Sequence, residues 1–297
     1  MRADPSLAAP RAARSRSRAW TPARGYGLLI IPPLLLLAVF FVWPLARVVF
    51  QSVMEPTPGF GNFIEIWNNG SYLKVLRNTL TLSATVTLVA LLLAYPVAWV
   101  ISNARGNRLH LLLALVLIPF WTSVVIRTYA WIVIFQRRGV LNDILLSLGL
   151  VDQPLRLMNN TIGVHIGMVH IMLPFMVLPL IAVMRGIDPT VLRAASVLGA
   201  NPLRQFLHVY LPLTMPGINA GCLLVFISAL GFFITPALLG GPENMMIAVL
   251  IEQQTSRLLN WPMASALATL LLAVTAALYL VYERVARRLG AAGAFAT

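Results

Sequence analysis

The chain has 297 residues, of which 59% are hydrophobic and only 10% charged, with a mean hydropathy of +0.83. A soluble domain carries roughly 25% charged residues, so a water-exposed globule is excluded, and several apolar runs reach the length of about 20 residues that spans a bilayer. The net charge of +13 would suit a nucleic-acid binder, but no basic platform interleaved with aromatics is present, and nucleic acid is not read as a partner.

Residues 1–25 form a Pro/Ala/Ser-rich tail holding Arg2, Arg11, Arg14, Arg16, Arg18 and Arg24. They read as a disordered cytoplasmic segment that touches anionic membrane lipid. Six apolar segments follow, at about 26–48, 79–101, 109–135, 161–184, 217–239 and 262–282. The fold class is therefore all-α: a polytopic membrane domain over 26–289, closed by a short tail at 290–297. The tail and first run imitate a signal peptide, but five more runs follow, so the first is read as a retained anchor. An even number of spans puts both termini on one side. The face with the termini, the 102–108 turn and the segment between spans four and five carries fourteen cations; the other face carries seven. The positive-inside bias makes the first face cytoplasmic.

Between spans four and five lies "DPTVLRAASVLGANPLRQFLHVYLPLTMPGI" (188–218), a polar insert in an apolar chain. Asp188 and Asn201 are N-cap candidates, each followed by a proline at the first helical position. Gly199 supplies a left-handed stop. Pro212 is read as the end of the second helix, and Pro216-Gly217 as a bend into the next span. The expected product is two short amphipathic helices with a corner at Gly199-Ala200. Val191, Ala194, Ala195 and Leu198 share one apolar face, and Leu203, Phe206, Leu207 and Tyr210 the other. Such a pair can lie in the headgroup layer or dock in a groove of a soluble partner.

These residues resemble the EAA loop of inner-membrane permease subunits of bacterial ABC importers. Ala194, Ala195, Gly199, Ala200, Phe206, Leu211, Pro212, Pro216 and Gly217 match its register, while Arg193 stands where the loop usually has Glu. "LIPFWTSVVIRTYAWIVIF" (117–135), "GVLN" (139–142) and "SALGFFITPALLGGPENMMIAVLIEQQ" (228–254) are similar to the spermidine/putrescine branch, whose relatives also carry opines, amino-acid derivatives or phosphonates. The resemblance implies that residues 186–217 form a coupling loop, with Arg193, Ala194, Ala195, Leu198, Gly199, Ala200, Phe206, Pro212, Pro216 and Gly217 at the ATPase contact. It also implies a second permease subunit, a cytoplasmic ATPase dimer and an extracytoplasmic solute-binding protein in a bacterial inner membrane. No G-x-x-x-x-G-K-[ST] motif occurs. The chain is thus expected to be a transport subunit, not an enzyme, with no cofactor of its own and with ATP and Mg on the partner.

Ionisable or bulky groups within spans are candidates for the transport path. Arg127, beside Tyr129, either faces the path or snorkels to an interface. Phe232, Phe233 and Thr235 surround the Pro236 break, as a gate or as ordinary packing. Glu252 either attracts a cationic solute or caps loop structure. Trp121 joins this set, although tryptophans also suit interfaces. His165 and His170 read as cross-helix hydrogen bonders, Gly163 and Gly167 as a packing pair. The lone Cys222 cannot form an internal disulfide, and no metal set is visible. A secondary transporter would show inverted repeats and ion-coupling acids in its spans, and neither is evident.

Overall fold

The computed structural model describes residues 22–294, with side chains over 30–284, so residues 1–21 of the disordered tail expected at 1–25 lie outside the described residues, while residues 22–25 are helical instead. The described residues are helical, with no strand among them. Two units separate at Arg47/Val48. The first holds α1 (Pro22–Leu37), a π-helical stretch at Ala38–Val42 and the beginning of α2 (Trp43–Met54). Residues Ile30–Met54 are long and apolar enough to span a membrane.

The second unit is built on three long helices. α4 (Gly70–Asn103), α8 (Thr161–Met184) and α11 (Leu211–Leu230) pack together through small residues. Ala90, Ala94 and Ala98 recur every four residues and form a fully buried stripe on α4. On α11, a Cβ at Gly221 would fall 2.7 Å from Met176 Sδ, and one at Gly217 would fall 3.1 Å from the Pro179 carbonyl oxygen. Without a net hydrophobic force between helices in lipid, such close backbone approach is what holds spans together. Pro96, Pro174 and Pro179 all sit inside helices, which neighbouring helices make tolerable in a membrane.

Two expected spans are not single helices. The apolar run 109–135 splits into α5 (Asn107–Trp121) and α6 (Val124–Phe135), with a bend of 95° at Thr122-Ser123. Pro119 weakens the last turn of α5, and Thr122 Oγ1 caps it by donating to the Pro119 carbonyl at 2.7 Å. The run 217–239 ends as a helix at Leu230 and resumes in the short α12 (Ile234–Leu239). The last helix, α14 (Trp261–Ala294), runs into the segment expected as a tail. With the bent pair counted as one, six candidate spans are present.

Smaller helices close the ends. α3 (Gly61–Asn68), α13 (Ile247–Glu252) and α14 enclose a second apolar cluster of Ile66, Met263, Ala266 and Leu267. After α6, the loop and α7 (Val140–Ser147) are stapled by the buried Asn142. Its Nδ2 donates to the carbonyls of Gln136 and Leu155, and its Oδ1 accepts from the Leu155 amide at 2.8 Å. Asn142→Leu removes three hydrogen bonds made by a buried side chain, a loss on the order of 2 kcal/mol. Faster amide exchange over 136–157 in the purified protein, with α8 unaffected, is the expected result.

Candidate functional site: a capped insert and two broken spans

The insert leaves α8 through Arg185-Gly186-Ile187. Asp188 Oδ1 accepts from the Thr190 amide at 2.8 Å and starts α9 (Pro189–Val197). That backbone hydrogen bond holds the Asp188 carboxyl below its ordinary range. The charged cap is therefore complete at neutral pH and is lost only as pH falls through the lowered value. Gly199, at φ +82°, turns the chain in the left-handed region where a side chain is strained. Asn201 Oδ1 then accepts from the Arg204 amide at 2.8 Å and starts α10 (Pro202–Gln205). Gln205 ties the corner, its Nε2 donating to Ser196 Oγ and to the Ala200 carbonyl.

Beyond α10 the structure departs from the expected stop at Pro212. α10 runs through a π-helical stretch, Phe206–Tyr210, directly into α11, so that Pro202–Leu230 is one span-length helix. The Leu211 amide bonds the Phe206 carbonyl, five residues back. This wider turn lets Pro212, which has no amide hydrogen, enter the helix as part of a new first turn. Pro216 likewise lies inside α11, and buried Gly217 packs on α8 instead of forming a bend.

The insert's apolar groups divide differently from the sequence expectation. Leu192 and Tyr210 pack inward, whereas Phe206 stays 37% exposed with Tyr95 edge-on to its ring at 6.0 Å. They line a cleft of about 420 Å³ with Pro96, Trp99 and Gln205. Ala195 and Ala200 are half-buried, while Arg193 and Ala194 are exposed. Val197 and Leu198, 88% and 87% exposed, form a bare apolar apex beside Gly199.

The second assembly lies where the spans break. α6 and α12 pack together and against α8. Thr128 Oγ1 meets Thr235 Oγ1 at 3.1 Å, both side chains fully buried. Gly167 of α8 brings its backbone up to Thr235 and Leu239. The Trp131 indole N–H donates to His170 Nδ1 at 3.3 Å, and Arg127 lies within electrostatic reach of His170. Arg127 is only 9% exposed, and its Nε and Nη1 are enclosed with no hydrogen-bond partner among the described residues. The side chain is thus largely covered by the bundle. His165, whose Nε2 lies 2.6 Å from Thr85 Oγ1, joins α8 to α4.

Of the path candidates, Thr235 meets Thr128, the neighbour of Arg127 in sequence, while Phe232 and Phe233 are half-buried at the second break. Tyr129 and Trp121 are turned outward and exposed. Glu252 is half-buried at the end of α13, and no hydrogen bond or ion pair joins it to Arg127 among the described residues. No group of three or more His, Cys, Asp or Glu side chains suited to a metal is found there either. The Thr128–Thr235 link was missed in the sequence, because its two residues lie 107 positions apart.

No family model matches the chain. It is 37% identical over 265 residues to the spermidine/putrescine transport system permease protein PotB of Haemophilus influenzae, covering 86% of this chain and 88% of that protein. The chain belongs to the ABC-transporter permease family. Its branch is that of the PotB-type permeases, and it is a multi-pass inner-membrane transport subunit rather than an enzyme. The inner membrane ABC transporter permease protein YdcU of Escherichia coli is 32% identical over 293 residues, with 91% of each chain covered. The permease fold recurs in a crystal structure of a bacterial alginate ABC transporter in complex with an alginate pentasaccharide-bound periplasmic protein. There the TM-score is 0.74 at 19% identity, over 92% of this chain and 98% of that one.

The unpartnered guanidinium gives a stability test. Arg127→Met replaces a buried, incompletely bonded cation by an apolar chain of similar length, which removes a desolvation cost on the order of 2 kcal/mol. The purified protein should melt at a higher temperature while solute uptake falls, and a lower melting temperature would contradict this account of Arg127.

Proposed function

We propose that this permease forms one half of the translocation path of an ATP-driven importer of polyamines of the spermidine/putrescine class. The observation that carries the solute class is the 37% identity to PotB over nearly the whole of both chains. The insert 186–217 is the coupling element, and it faces the cytoplasm with both termini, in accord with the excess of cations on that side. ATP and Mg act on a separate ATPase dimer. A second, different permease chain completes the path, and an extracytoplasmic binding protein delivers the solute. The geometry supports the docking role of the insert: its two helices are capped and cornered, and the apex Val197-Leu198 is bare, as a docking knob requires. Broken spans with irregular backbone are tolerated at membrane depth where protein or a cavity lines them. Arg127, Thr235, Phe232 and Phe233 therefore belong to the path wall, whereas exposed Trp121 and Tyr129 face the second subunit or lipid.

A second reading keeps the architecture and changes the solute to one that carries an anionic group, favoured by the unpaired guanidinium of Arg127 at the break. The decisive experiment is ATP-driven uptake of labelled spermidine and putrescine into proteoliposomes of the assembled complex. Intact protein is compared with Gly199→Asp, which strains the corner at φ +82° without touching the breaks. Uptake that needs ATP and falls at least about tenfold in the variant, equivalent to about 1.4 kcal/mol, is the expected outcome. An ATP-hydrolysing complex that takes up neither polyamine sinks the solute class; uptake indifferent to ATP sinks the importer.

A further inference from the structure

The coupling insert is strongly cationic. Over residues 185–217 it exposes Arg185, Arg193 and Arg204, and its single carboxylate is Asp188, already engaged as the cap of α9. Among the described residues neither Arg193 nor Arg204 has a carboxylate at ion-pair distance, although the field of Arg193 reaches Asp188. Arg193 stands four residues before Val197, so the two share one face of α9 and the cation lies directly behind the apolar apex. Arg204 occupies the matching place in the first turn of α10, beyond the corner. A bare apolar tip is thus flanked on both helices by an unpaired guanidinium.

From this arrangement we infer that Arg193 and Arg204 select the cognate ATP-hydrolysing subunit by pairing with carboxylates that rim its docking cleft. The inference rests on the docking role given above and adds the chemistry of the partner surface. An anionic membrane surface would attract the same charges, but the geometry disfavours it. Helix α10 runs unbroken into α11 over the 29 residues Pro202–Leu230. That is about 43 Å of helix against a hydrocarbon core of about 30 Å. Part of that helix therefore stands outside the core, and the capped end that bears Arg204 and the exposed insert is its polar end. Arginine suits the task, since its planar fork meets a carboxylate with two parallel hydrogen bonds.

Complementary rim charges govern encounter rate and partner choice and are weakened by salt, whereas an apolar tip is not. The test uses the whole purified complex and follows retention of the ATPase subunit at low and high potassium chloride. Wild type, R193E/R204E and L198D are compared. Two exposed pairs together account for about tenfold in affinity. R193E/R204E should therefore release the ATPase about tenfold more readily at low salt and lose most of the salt dependence seen in wild type. L198D should weaken retention at every salt concentration. Reversing carboxylates at the ATPase cleft rim to arginine should rescue R193E/R204E and not L198D. Wild-type retention by R193E/R204E together with weakened retention by L198D would overturn the electrostatic assignment and leave the docking role standing. Retention unchanged in both variants would overturn the docking role itself. Should R193E/R204E keep its ATPase but lose affinity for phosphatidylglycerol vesicles, the arginines serve the membrane and the inference fails.

Discussion

Every backbone amide and carbonyl at membrane depth must find a partner inside the protein, because an unpaired group in hydrocarbon costs on the order of several kcal/mol. The permease breaks two of its spans under this constraint, and the consequences organise the rest of the molecule. At the first break Thr122 bonds back to Pro119 through both amide and hydroxyl, and the Arg127 amide bonds the Ser123 carbonyl at 3.1 Å. At the second, the Phe232 amide reaches Ala229 and the Ala237 amide reaches Phe233. The short helices that restart, α6 and α12, are then joined by the Thr128–Thr235 hydroxyl pair. Broken helices are affordable here only because each one covers the other.

The same economy links the insert to the breaks. One helical element extends from the corner at Asn201 to the break at Gly231, since the π turn at Phe206–Tyr210 accommodates the prolines that would otherwise end it. Buried glycines on α11 and the alanine stripe on α4 press this element against α8 without intervening side chains. Close-packed interiors transmit displacement rather than absorb it. In the coupling role proposed above, a push at the apex Val197-Leu198 would be carried along this element toward the break that holds Phe232 and Phe233. The capping residues Asp188 and Asn201 matter for the same reason, because a frayed insert would dissipate the push before it reached α11.

Much of this was legible in the sequence where the signal is local. Caps, first-turn prolines and the left-handed glycine of the insert are chemical statements made by one or two residues, and Asp188, Asn201 and Gly199 behave accordingly. Apolar length identified the spans. What failed was local information whose outcome a neighbour decides. Pro212 and Pro216 signal a stop, yet the π turn and the packing of Gly217 on α8 carry the helix through them. Residues 109–135 form a continuous apolar run, yet Pro119 and Thr122 bend it by 95°. The pairs that position the site are separated by scores of residues. Thr128 with Thr235, Trp131 with His170, and Thr79 Oγ1 with the Ile247 amide have no trace in any single window.

The buried guanidinium bears on how a cationic solute would travel. Two unit charges about 6 Å apart repel by about 3 kcal/mol at an effective dielectric of about 20. An ammonium pausing beside Arg127 would therefore be held more weakly than one farther along the path. Conduction requires sites weak enough to leave as well as favourable enough to enter, and with Arg127 in the path wall as proposed above, its fixed charge would shorten the residence of a cation beside it. On this account solute recognition cannot reside in Arg127 for a polyamine, and must come from groups outside this cluster. For a solute with an anionic group the sign reverses, and the same guanidinium becomes an attractive station. With Arg127 in the path wall as proposed, the charge on the solute thus decides whether this guanidinium acts as a barrier or as a binding group.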